Sequence, residues 1–512
     1  ASRPMPADDA AFAGADPVAL ERVHMIARRA RLRAQGLERE ALAALADRLA
    51  ALPGVARALV RPSTGSVIGR VADASVDDAM DAVAAAHDAL SGWTATAPRK
   101  RSEILRRCFD LMIERKQMLA ELISLENGKA LGDAQGEVAY AAEFFRWFSE
   151  EAVRLNGDLS IAPSGANRIL VQHQPIGVAV LVTPWNFPAA MATRKIAPAL
   201  AAGCTCVLKP ATETPLTAYA LAEIYREAGV PDGVVNVITT SKAGATVSAM
   251  LHDPRVRKLS FTGSTEVGRR LLREAADTVI SCSMELGGNA PFIVFDDADL
   301  ETALDGAMVA KMRNGGEACT AANRFYVQEG IAEAFSAGLA ERMKALKVGP
   351  GYDAATQCGP LINQDAVSRI DGWIGEAVEG GAKVLTGGEV GSGDGYFLSP
   401  TVLTSVPAQA KLMREEIFGP VAPIALFKTE DEAIALANNT EYGLIAYVFT
   451  QDLARGLRVS EKVESGMVGL NRGLASDPAA PFGGTKQSGL GREGAHHGIL
   501  EFCETKYIAV SW

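Results

Sequence analysis

The sequence contains few of the residues that bind metals or build disulfide frameworks. It has six histidines and seven cysteines among 512 residues. The cysteines follow no disulfide pattern, and no cluster of cysteine and histidine has the spacing of metal ligands. We therefore expect reduced thiols, a cytoplasmic location and no bound metal.

Long apolar runs and excess positive charge are also missing. No run of about 18 apolar residues occurs, so we expect no membrane span. The net charge is −10 and the pI is about 5.4, which argues against a nucleic-acid partner because such a partner needs a basic face. Hydrophobic residues make up 48% and charged residues 22%. This balance is that of a globular protein, and the length predicts two or more domains.

From residue 176 onward, predicted strands alternate with predicted helices. Continuous apolar runs that end in turn residues indicate strands buried on both faces. These runs are 177–185, 204–210, 233–239 and 258–264. The alternation predicts a parallel α/β sheet, whose ligands bind at the carboxyl ends of its strands. Trp185, Asn186 and Lys209 lie at those ends.

Other elements are predicted from local signals. Residues 75–90 predict a helix that Ser75 caps, with Asp78 as its capping-box partner. Further helices are predicted over 21–36, 101–127, 136–154 and 214–229. The Gly-rich stretch 387–397 predicts an exposed hairpin or loop, and the tail 504–512 alternates enough to be a strand.

Two residues have both a structural and a chemical interpretation. The loop RNGGEACTAANR (313–324) sets Cys319 among polar residues and glycines. A lone cysteine is usually a small buried hydrophobe, but this loop could hold the sulfur near solvent and a reactant. Glu285 follows a predicted strand and precedes two glycines. There it could be a general base with a raised pKa, or a partner in a structural hydrogen bond.

Several other positions are typical of nucleotide and oxyanion binding. Gly263 and Ser264 stand at a strand-to-helix junction. This junction is either an ordinary turn or a phosphate-binding site at a helix N-terminus. Lys209 has two interpretations: a surface lysine whose charged end reaches water, or a hydrogen-bond donor to a ribose hydroxyl or a phosphate. Glu416 could bind ribose hydroxyls, and Phe418 could press on a planar ring. The amide of Asn186 can donate to an oxyanion.

The motifs that contain these residues, taken in their order along the chain, resemble those of the aldehyde dehydrogenase superfamily. The resemblance covers the chain from about residue 40 to its end, with motif order and spacing like those of the family. The motifs are PWNFP, LKPA, FTGSTEVG, ELGG, the cysteine loop, EEIFGP and PFGGTKQSGLGREG. The resemblance implies an α/β fold with a parallel-sheet Rossmann-like cofactor domain, an α/β catalytic domain and a small β oligomerisation element. The expected boundaries are 1–35 for an N-terminal extension, 36–156 and 177–286 for the cofactor-binding domain, 287–487 for the catalytic domain, and 157–176 with 488–512 for the oligomerisation element.

The resemblance also implies roles. Cys319 corresponds to the nucleophile, Glu285 to the general base, and Asn186 to the oxyanion donor alongside the Cys319 backbone N–H. The implied cofactor-binding residues are Trp185, Lys209, Thr212, Gly263, Ser264, Glu416 and Phe418. The polar loop is expected to keep the thiol approachable, because apolar burial would raise its pKa. Retention of the nucleophile argues against an inactive scaffold or binding protein, and retention of the base argues against a CoA-acylating enzyme.

Within the superfamily, the chain is most similar to succinate-semialdehyde dehydrogenases. Arg194, Arg313 and Ser476 match positions that bind the substrate carboxylate there, and two guanidinium groups with a hydroxyl can fix one carboxylate. Arg472 is less usual, so glutarate semialdehyde or a keto-acid semialdehyde stays open. Ala321 replaces a second cysteine, so no redox-switch disulfide is predicted at this site.

Cofactor choice is predicted from LKPATETP (208–215). Thr212 stands where NAD-preferring relatives commonly have a glutamate, and Lys209 adds a positive charge. If the segment is extended, Glu213 points to the opposite side from Thr212. We therefore expect NADP+ to be accepted and favoured, with NAD+ also usable.

Assembly is predicted from two segments that read as strands with open edges. These are the hairpin 157–176 and the tail 504–512. Pairing strands between subunits would remove the open edges, so a homodimer or homotetramer is expected.

Overall fold

The structure is a computed structural model, and it describes residues 55–511. The predicted N-terminal extension 1–35, the predicted helix 21–36 and residues 36–54 lie outside the described residues.

Fifteen α-helices occur within residues 55–511 and are numbered here in chain order. They are α1 Val76–Ala95, α2 Pro98–Glu114, α3 Lys116–Asn127, α4 Leu131–Glu151, α5 Pro188–Ala202, α6 Pro215–Ala228, α7 Ala243–Leu251, α8 Thr265–Ala276, α9 Leu300–Met312, α10 Ala332–Lys344, α11 Gln364–Glu379, α12 Lys411–Arg414, α13 Glu430–Asn438, α14 Leu453–Lys462 and α15 Ala495–Leu500. The capping box of α1 is confirmed: the Asp78 N–H donates to Ser75 Oγ at 3.1 Å and the Ser75 N–H to the Asp78 carboxylate at 2.7 Å.

Eighteen strands occur in the same part of the chain. They are β1 Val55–Val60, β2 Val67–Ala72, β3 Asp158–Ile161, β4 Arg168–Pro175, β5 Val178–Val182, β6 Thr205–Lys209, β7 Val235–Val237, β8 Val256–Thr262, β9 Ser281–Glu285, β10 Ala290–Val294, β11 Ala322–Gln328, β12 Lys383–Thr386, β13 Thr401–Thr404, β14 Val421–Phe427, β15 Ile445–Phe449, β16 Met467–Leu470, β17 Gly489–Leu490 and β18 Cys503–Val510. The predicted strands and helices from residue 177 to 264 are all present, each within a few residues of its predicted ends.

A six-stranded sheet forms the first half of the fold, in the order β17-β9-β8-β5-β6-β7. Strands β5 to β9 are parallel, and only β17 runs antiparallel. Side chains alternate between two buried clusters: Ala179 and Leu181 pack on one face, and Val178 and Val180 on the other. Burial on both faces explains the continuous apolar runs, since neither face meets water.

A seven-stranded sheet forms the second half, in the order β12-β13-β14-β11-β10-β15-β16. It is parallel except for β12, and it too is covered on both faces: Phe292 belongs to one buried cluster and Ile293 to the other. The chain passes between the two sheets in four residues, from Glu285 at the end of β9 to Ala290 at the start of β10. The carboxyl end of the six-stranded sheet and the amino end of the seven-stranded sheet therefore meet at this crossing.

A separate three-stranded antiparallel sheet has the order β18-β4-β3. The predicted hairpin is confirmed as β3 and β4, but the tail β18 pairs with β4 of its own chain from Cys503 to Val510. One edge of the tail is therefore paired within the chain, and pairing of its outer edge with another subunit remains a prediction. The outer edges belong to β18 and β3, and Leu159 and Ile161 of β3 are 66% and 61% exposed.

The domain boundaries remain a prediction, but strand pairing bears on one of them. Gly489–Leu490 joins the six-stranded sheet, whereas the predicted boundary groups this strand with the oligomerisation element. Among the described residues, no helix is long and apolar enough to cross a membrane.

Candidate active site

A cleft of about 600 Å³ opens at the carboxyl ends of the strands of the six-stranded sheet. Nine of the residues predicted from the sequence line it: Trp185, Asn186, Lys209, Thr212, Gly263, Ser264, Cys319, Glu416 and Phe418. The other four, Glu285, Arg194, Arg313 and Ser476, are not part of its lining. Within residues 55–511, no group of three histidine, cysteine or acidic side chains is arranged to hold a metal ion.

One wall of the cleft is the N-terminus of α8. Ser264 is the N-cap, and its hydroxyl accepts a hydrogen bond from the Val267 N–H at 3.4 Å. A Cβ on Gly263 would lie 2.5 Å from the Phe261 ring, so any larger residue at this turn would force the ring to move. The remaining N–H groups of the first helical turn and the helix dipole favour an anion here.

Another part of the cleft lining is formed by Glu416 and Phe418. The Gly288 N–H donates to Glu416 Oε1 at 3.0 Å, and burial raises the pKa of the Glu416 carboxyl to about 7. Phe418 has a left-handed backbone, φ 54°, and its ring meets that of Trp185 edge-on at 5.4 Å. An aromatic residue with a left-handed backbone in a cleft that also contains the thiol is typical of a functional site rather than of ordinary packing.

The turn after β6 differs from its prediction. Residues 212–213 form a bend rather than an extended segment. The Thr212 hydroxyl therefore donates to Glu213 Oε2 at 3.0 Å, and both side chains line the cleft. The prediction that Glu213 points away from Thr212 is wrong, because it assumed an extended backbone.

Cys319 follows a short 3₁₀ turn, Arg313–Gly316, in which three successive residues have positive φ. Its side chain is half-buried. Burial raises the pKa of the Cys319 thiol to about 12, with Glu416 and Glu285 adding to the shift and Arg194 and Arg313 opposing it. The expectation that the polar loop avoids such a shift is therefore wrong: desolvation and the charges of two nearby carboxylates act on the sulfur despite the polar sequence.

Asn186 and Cys319 are linked through the residues before the cysteine. Asn186 Nδ2 donates to the Glu317 carbonyl at 3.0 Å, and the Asn186 carbonyl accepts from Lys129 Nζ at 2.6 Å. Lys129 and Glu137 form an ion pair with side chains that are 0% exposed. Asn186 is therefore fixed at both its backbone and its side chain.

Glu285 ends β9 and is 3% exposed, and its buried Oε2 has no hydrogen-bond partner within residues 55–511. Burial and the neighbouring Glu493 raise the pKa of its carboxyl well above the usual range, while Lys195 and Arg194 oppose the shift. Glu493 itself is held by an ion pair with Lys195. Sequence reasoning missed this pair. Glu493 lies within the recognised motif PFGGTKQSGLGREG, but its partner is 298 residues away.

The two predicted arginines flank one tyrosine that was also missed. Arg194 Nη2 donates to the Tyr140 hydroxyl at 2.6 Å, and its Nη1 lies 3.4 Å from Glu493. The Arg313 guanidinium lies over the rings of Tyr140 and Phe187, at 5.7 and 4.9 Å. Arg194 therefore has a carboxylate partner already, whereas Arg313 makes no ion pair within residues 55–511. The helical spacing around Tyr140 gave no signal of this contact.

Ser476 is not joined to this group. It is half-buried in the loop after β16, and no hydrogen bond within residues 55–511 ties it to the other predicted site residues.

The raised pKa of Cys319 makes a prediction about its reactivity. Alkylation by iodoacetamide requires the thiolate, so it should be slower than that of a free cysteine at pH 8 and should keep rising above about pH 9. Arg313→Ala should slow it further, because losing a positive charge raises the pKa of the thiol. Peptide mapping by mass spectrometry, with Cys319→Ala as control, measures the rate, and a plateau below pH 8 would contradict the account.

Comparisons with known proteins identify the family of the chain. The aldehyde dehydrogenase family model matches residues 55–508. The chain is 56% identical to a succinate-semialdehyde dehydrogenase of Paenarthrobacter nicotinovorans, over 87% of this chain and 99% of the relative. It is 50% identical to a glutarate-semialdehyde dehydrogenase of Pseudomonas aeruginosa, over 88% and 93%. A crystal structure of an Escherichia coli NADP-dependent enzyme aligns with a TM-score of 0.88 at 49% identity, covering 89% of this chain and 94% of the other. The chain belongs to the aldehyde dehydrogenase family.

Proposed function

We propose that this protein oxidises a semialdehyde that carries a carboxylate, with succinate semialdehyde as substrate and NADP+ or NAD+ as cofactor. The observation that carries the substrate class is Arg313. Its charge acts on the thiol of Cys319, and its guanidinium lies over two aromatic rings. It forms no ion pair within residues 55–511, although its charge also opposes the rise in pKa that burial causes at the Asp133 carboxyl. A guanidinium that forms no ion pair with the described residues, beside a nucleophile, suits the carboxylate of a substrate. Arg194 and Ser476 are the proposed further contacts.

The cleft fits a nicotinamide dinucleotide. Its volume of about 600 Å³ lies within the usual range for cofactor sites. We assign the pyrophosphate to the N-terminus of α8, adenosine-ribose contacts to Lys209 and Thr212, and the nicotinamide ribose to Glu416. Trp185 and Phe418 would border the nicotinamide end, next to Cys319. When bound, the nicotinamide supplies the hydride acceptor.

The first chemical stage is proposed to take place on Cys319. Its thiolate attacks the aldehyde carbon, and the carbonyl oxygen becomes an oxyanion. Asn186 Nδ2 carries two hydrogens, of which one binds the Glu317 carbonyl, so the second is available to the oxyanion together with the Cys319 N–H. Such a donor typically contributes about 2.7–4 kcal/mol. Hydride loss then leaves a thioester on Cys319.

The second stage is hydrolysis of that thioester. Glu285 is proposed to take a proton from water, which attacks the acyl carbon, and the Cys319 thiolate leaves as the carboxylic acid forms. The proton on Glu285 then returns to the thiolate or passes to solvent. Its buried, unpartnered oxygen and raised pKa suit a general base. A retained base disfavours CoA as the acyl acceptor.

Glutarate semialdehyde is the second candidate substrate. The Pseudomonas aeruginosa relative acts on it at an identity close to that of the first relative. Arg472 is exposed in the loop that leads to Ser476. An additional cation there would suit a longer chain.

We further propose a homodimer or homotetramer in the cytoplasm. Exposed apolar residues on the edge strand β3 support assembly, because an open apolar edge is a liability in a monomer. All seven cysteines are free, which suits a reducing compartment.

The nucleophile and base assignments predict different failures. Cys319→Ala should abolish turnover while leaving NADP+ binding intact. Glu285→Gln should keep acylation and slow deacylation, so stopped-flow absorbance should show a burst of reduced cofactor without steady turnover. Turnover near the wild-type rate in Cys319→Ala would refute the nucleophile.

The substrate assignment predicts selective damage from Arg313→Ala. One charged hydrogen bond to a carboxylate contributes about 1.5–3 kcal/mol, so kcat/KM for succinate semialdehyde should fall roughly 10- to 150-fold. Butanal should be nearly unaffected. Arg146→Ala, an exposed arginine on α4 paired with Glu143, is the matched control. Equal losses on both aldehydes would make Arg313 structural.

Cofactor choice is predicted to depend on the charge at the bend after β6. Thr212→Glu should shift preference toward NAD+, because it adds a carboxylate that repels a 2′-phosphate. Glu213→Gln should shift preference toward NADP+, since its carboxylate contacts Thr212. Ratios of kcat/KM for the two cofactors measure this, and opposite shifts would refute the assignment.

The assembly proposal predicts a particle larger than one chain. Light scattering at micromolar concentration should give a multiple of 53.9 kDa. Leu159→Lys with Ile161→Lys should weaken the assembly by charging the β3 edge. A monomer mass for the wild type would contradict the proposal.

A further inference from the structure

Asn314 has a contact pattern that the proposed chemistry has not used. It is 2% exposed and lies five residues before the nucleophile. Its Nδ2 donates to the Asn186 carbonyl and to the Glu317 carbonyl, each at 3.0 Å. An amide nitrogen has two hydrogens, so both bonds form at once.

These two carbonyls belong to the two halves of the site. Asn186 is the proposed oxyanion donor, and Glu317 begins the Glu-Ala-Cys segment that ends in the nucleophile. Asn186 Nδ2 also donates to the Glu317 carbonyl. The Glu317 carbonyl therefore accepts hydrogen bonds from both asparagines. Asn314 also binds the Asn186 backbone carbonyl, so the three residues form a cyclic hydrogen-bond network.

The orientation of the Asn314 amide is determined by its neighbours. Reversing it would set Oδ1 against two carbonyl oxygens, so the nitrogen must face them. Oδ1 is buried and has no partner within the described residues. The side chain is thus placed for donation, even though its acceptor is left unsatisfied.

The backbone of Asn314 is held as well. It has φ 55° and ψ 38°, a left-handed conformation that asparagine tolerates better than most residues. Its N–H donates to Asp133 Oδ2 on α4 at 3.1 Å. Glycine would adopt the same backbone conformation, so the backbone alone does not explain an asparagine here.

We propose that Asn314 is a positioning residue that fixes the oxyanion donor Asn186 relative to the Cys319 loop. This rests on the cysteine chemistry of the proposed function, but not on which aldehyde is oxidised. Donors act on an oxyanion only when correctly placed, and a misplacement of about 1 Å can cost on the order of 100-fold in rate. Asn314 contacts no reacting atom, so its effect is on the direction of the Asn186 N–H.

The test uses the full-length enzyme with succinate semialdehyde and with butanal. Asn314→Gly keeps the left-handed backbone and removes only the amide. It should lower kcat by up to about 100-fold for both aldehydes, with KM, NADP+ affinity and melting temperature unchanged. Asn471→Gly is the matched control: Asn471 is also left-handed, at φ 51°, and its Nδ2 donates to the Thr450 carbonyl at 2.9 Å. It should leave kcat unchanged.

Asn314→Asp gives a second readout that a purely structural role would not give. Its carboxylate cannot donate to two carbonyls, but the protonated acid regains one donor. The loss in kcat relative to wild type should therefore shrink as the pH falls.

Wild-type kcat in Asn314→Gly would overturn the proposal. So would a loss explained by a lower melting temperature or weaker NADP+ binding, because the amide would then support the fold. If the wild type oxidises butanal but shows no preference for the semialdehyde, the proposed substrate fails. The comparison of Asn314 variants on butanal still decides this inference.

Discussion

The chain crosses from one sheet to the other through Gly287 and Gly288, and the packing of this crossing positions the site. A Cβ on Gly288 would lie 2.4 Å from the Cys319 carbonyl oxygen, and one on Gly287 would lie 3.1 Å from Glu416 Oε2. The Ser488 hydroxyl also holds this crossing, because it donates a hydrogen bond to the Gly287 carbonyl at 2.7 Å. Because the backbone packs this closely, the thiol, the carboxylate of Glu416 and the end of β9 share one small volume.

That small volume contains several charges, and their balance determines the chemistry. Burial raises the pKa of Cys319, Glu285 and Glu416 alike. Arg194 opposes the shift at two of them, yet its charge is already shared with Glu493. Arg313, which also acts on the thiol, forms no ion pair within the described residues. A substrate carboxylate would therefore complete the charge balance of the site, while a neutral aldehyde would not.

Local signals in the sequence predicted most of the fold and of the cleft. Apolar runs mark the buried strands, and the turn residues after them mark Asn186, Lys209 and Ser264 at the carboxyl ends. Contacts between distant residues leave no such signal. The ion pair of Lys195 with Glu493 joins positions 298 residues apart. The pairing of β18 with β4 likewise joins distant parts of the chain. The errors at Glu213 and at the pKa of Cys319 have a similar origin, since a bend and a buried environment are made by the surrounding fold.

The most direct test of this account is the substrate preference of the wild-type enzyme. The measurement is kcat/KM for succinate semialdehyde, glutarate semialdehyde and butanal, with saturating NADP+ in parallel with NAD+. The account predicts that a semialdehyde exceeds butanal by roughly 10-fold or more, the contribution of at least one charged hydrogen bond to the carboxylate. Equal values for butanal and both semialdehydes would contradict the assignment of a carboxylate-bearing substrate.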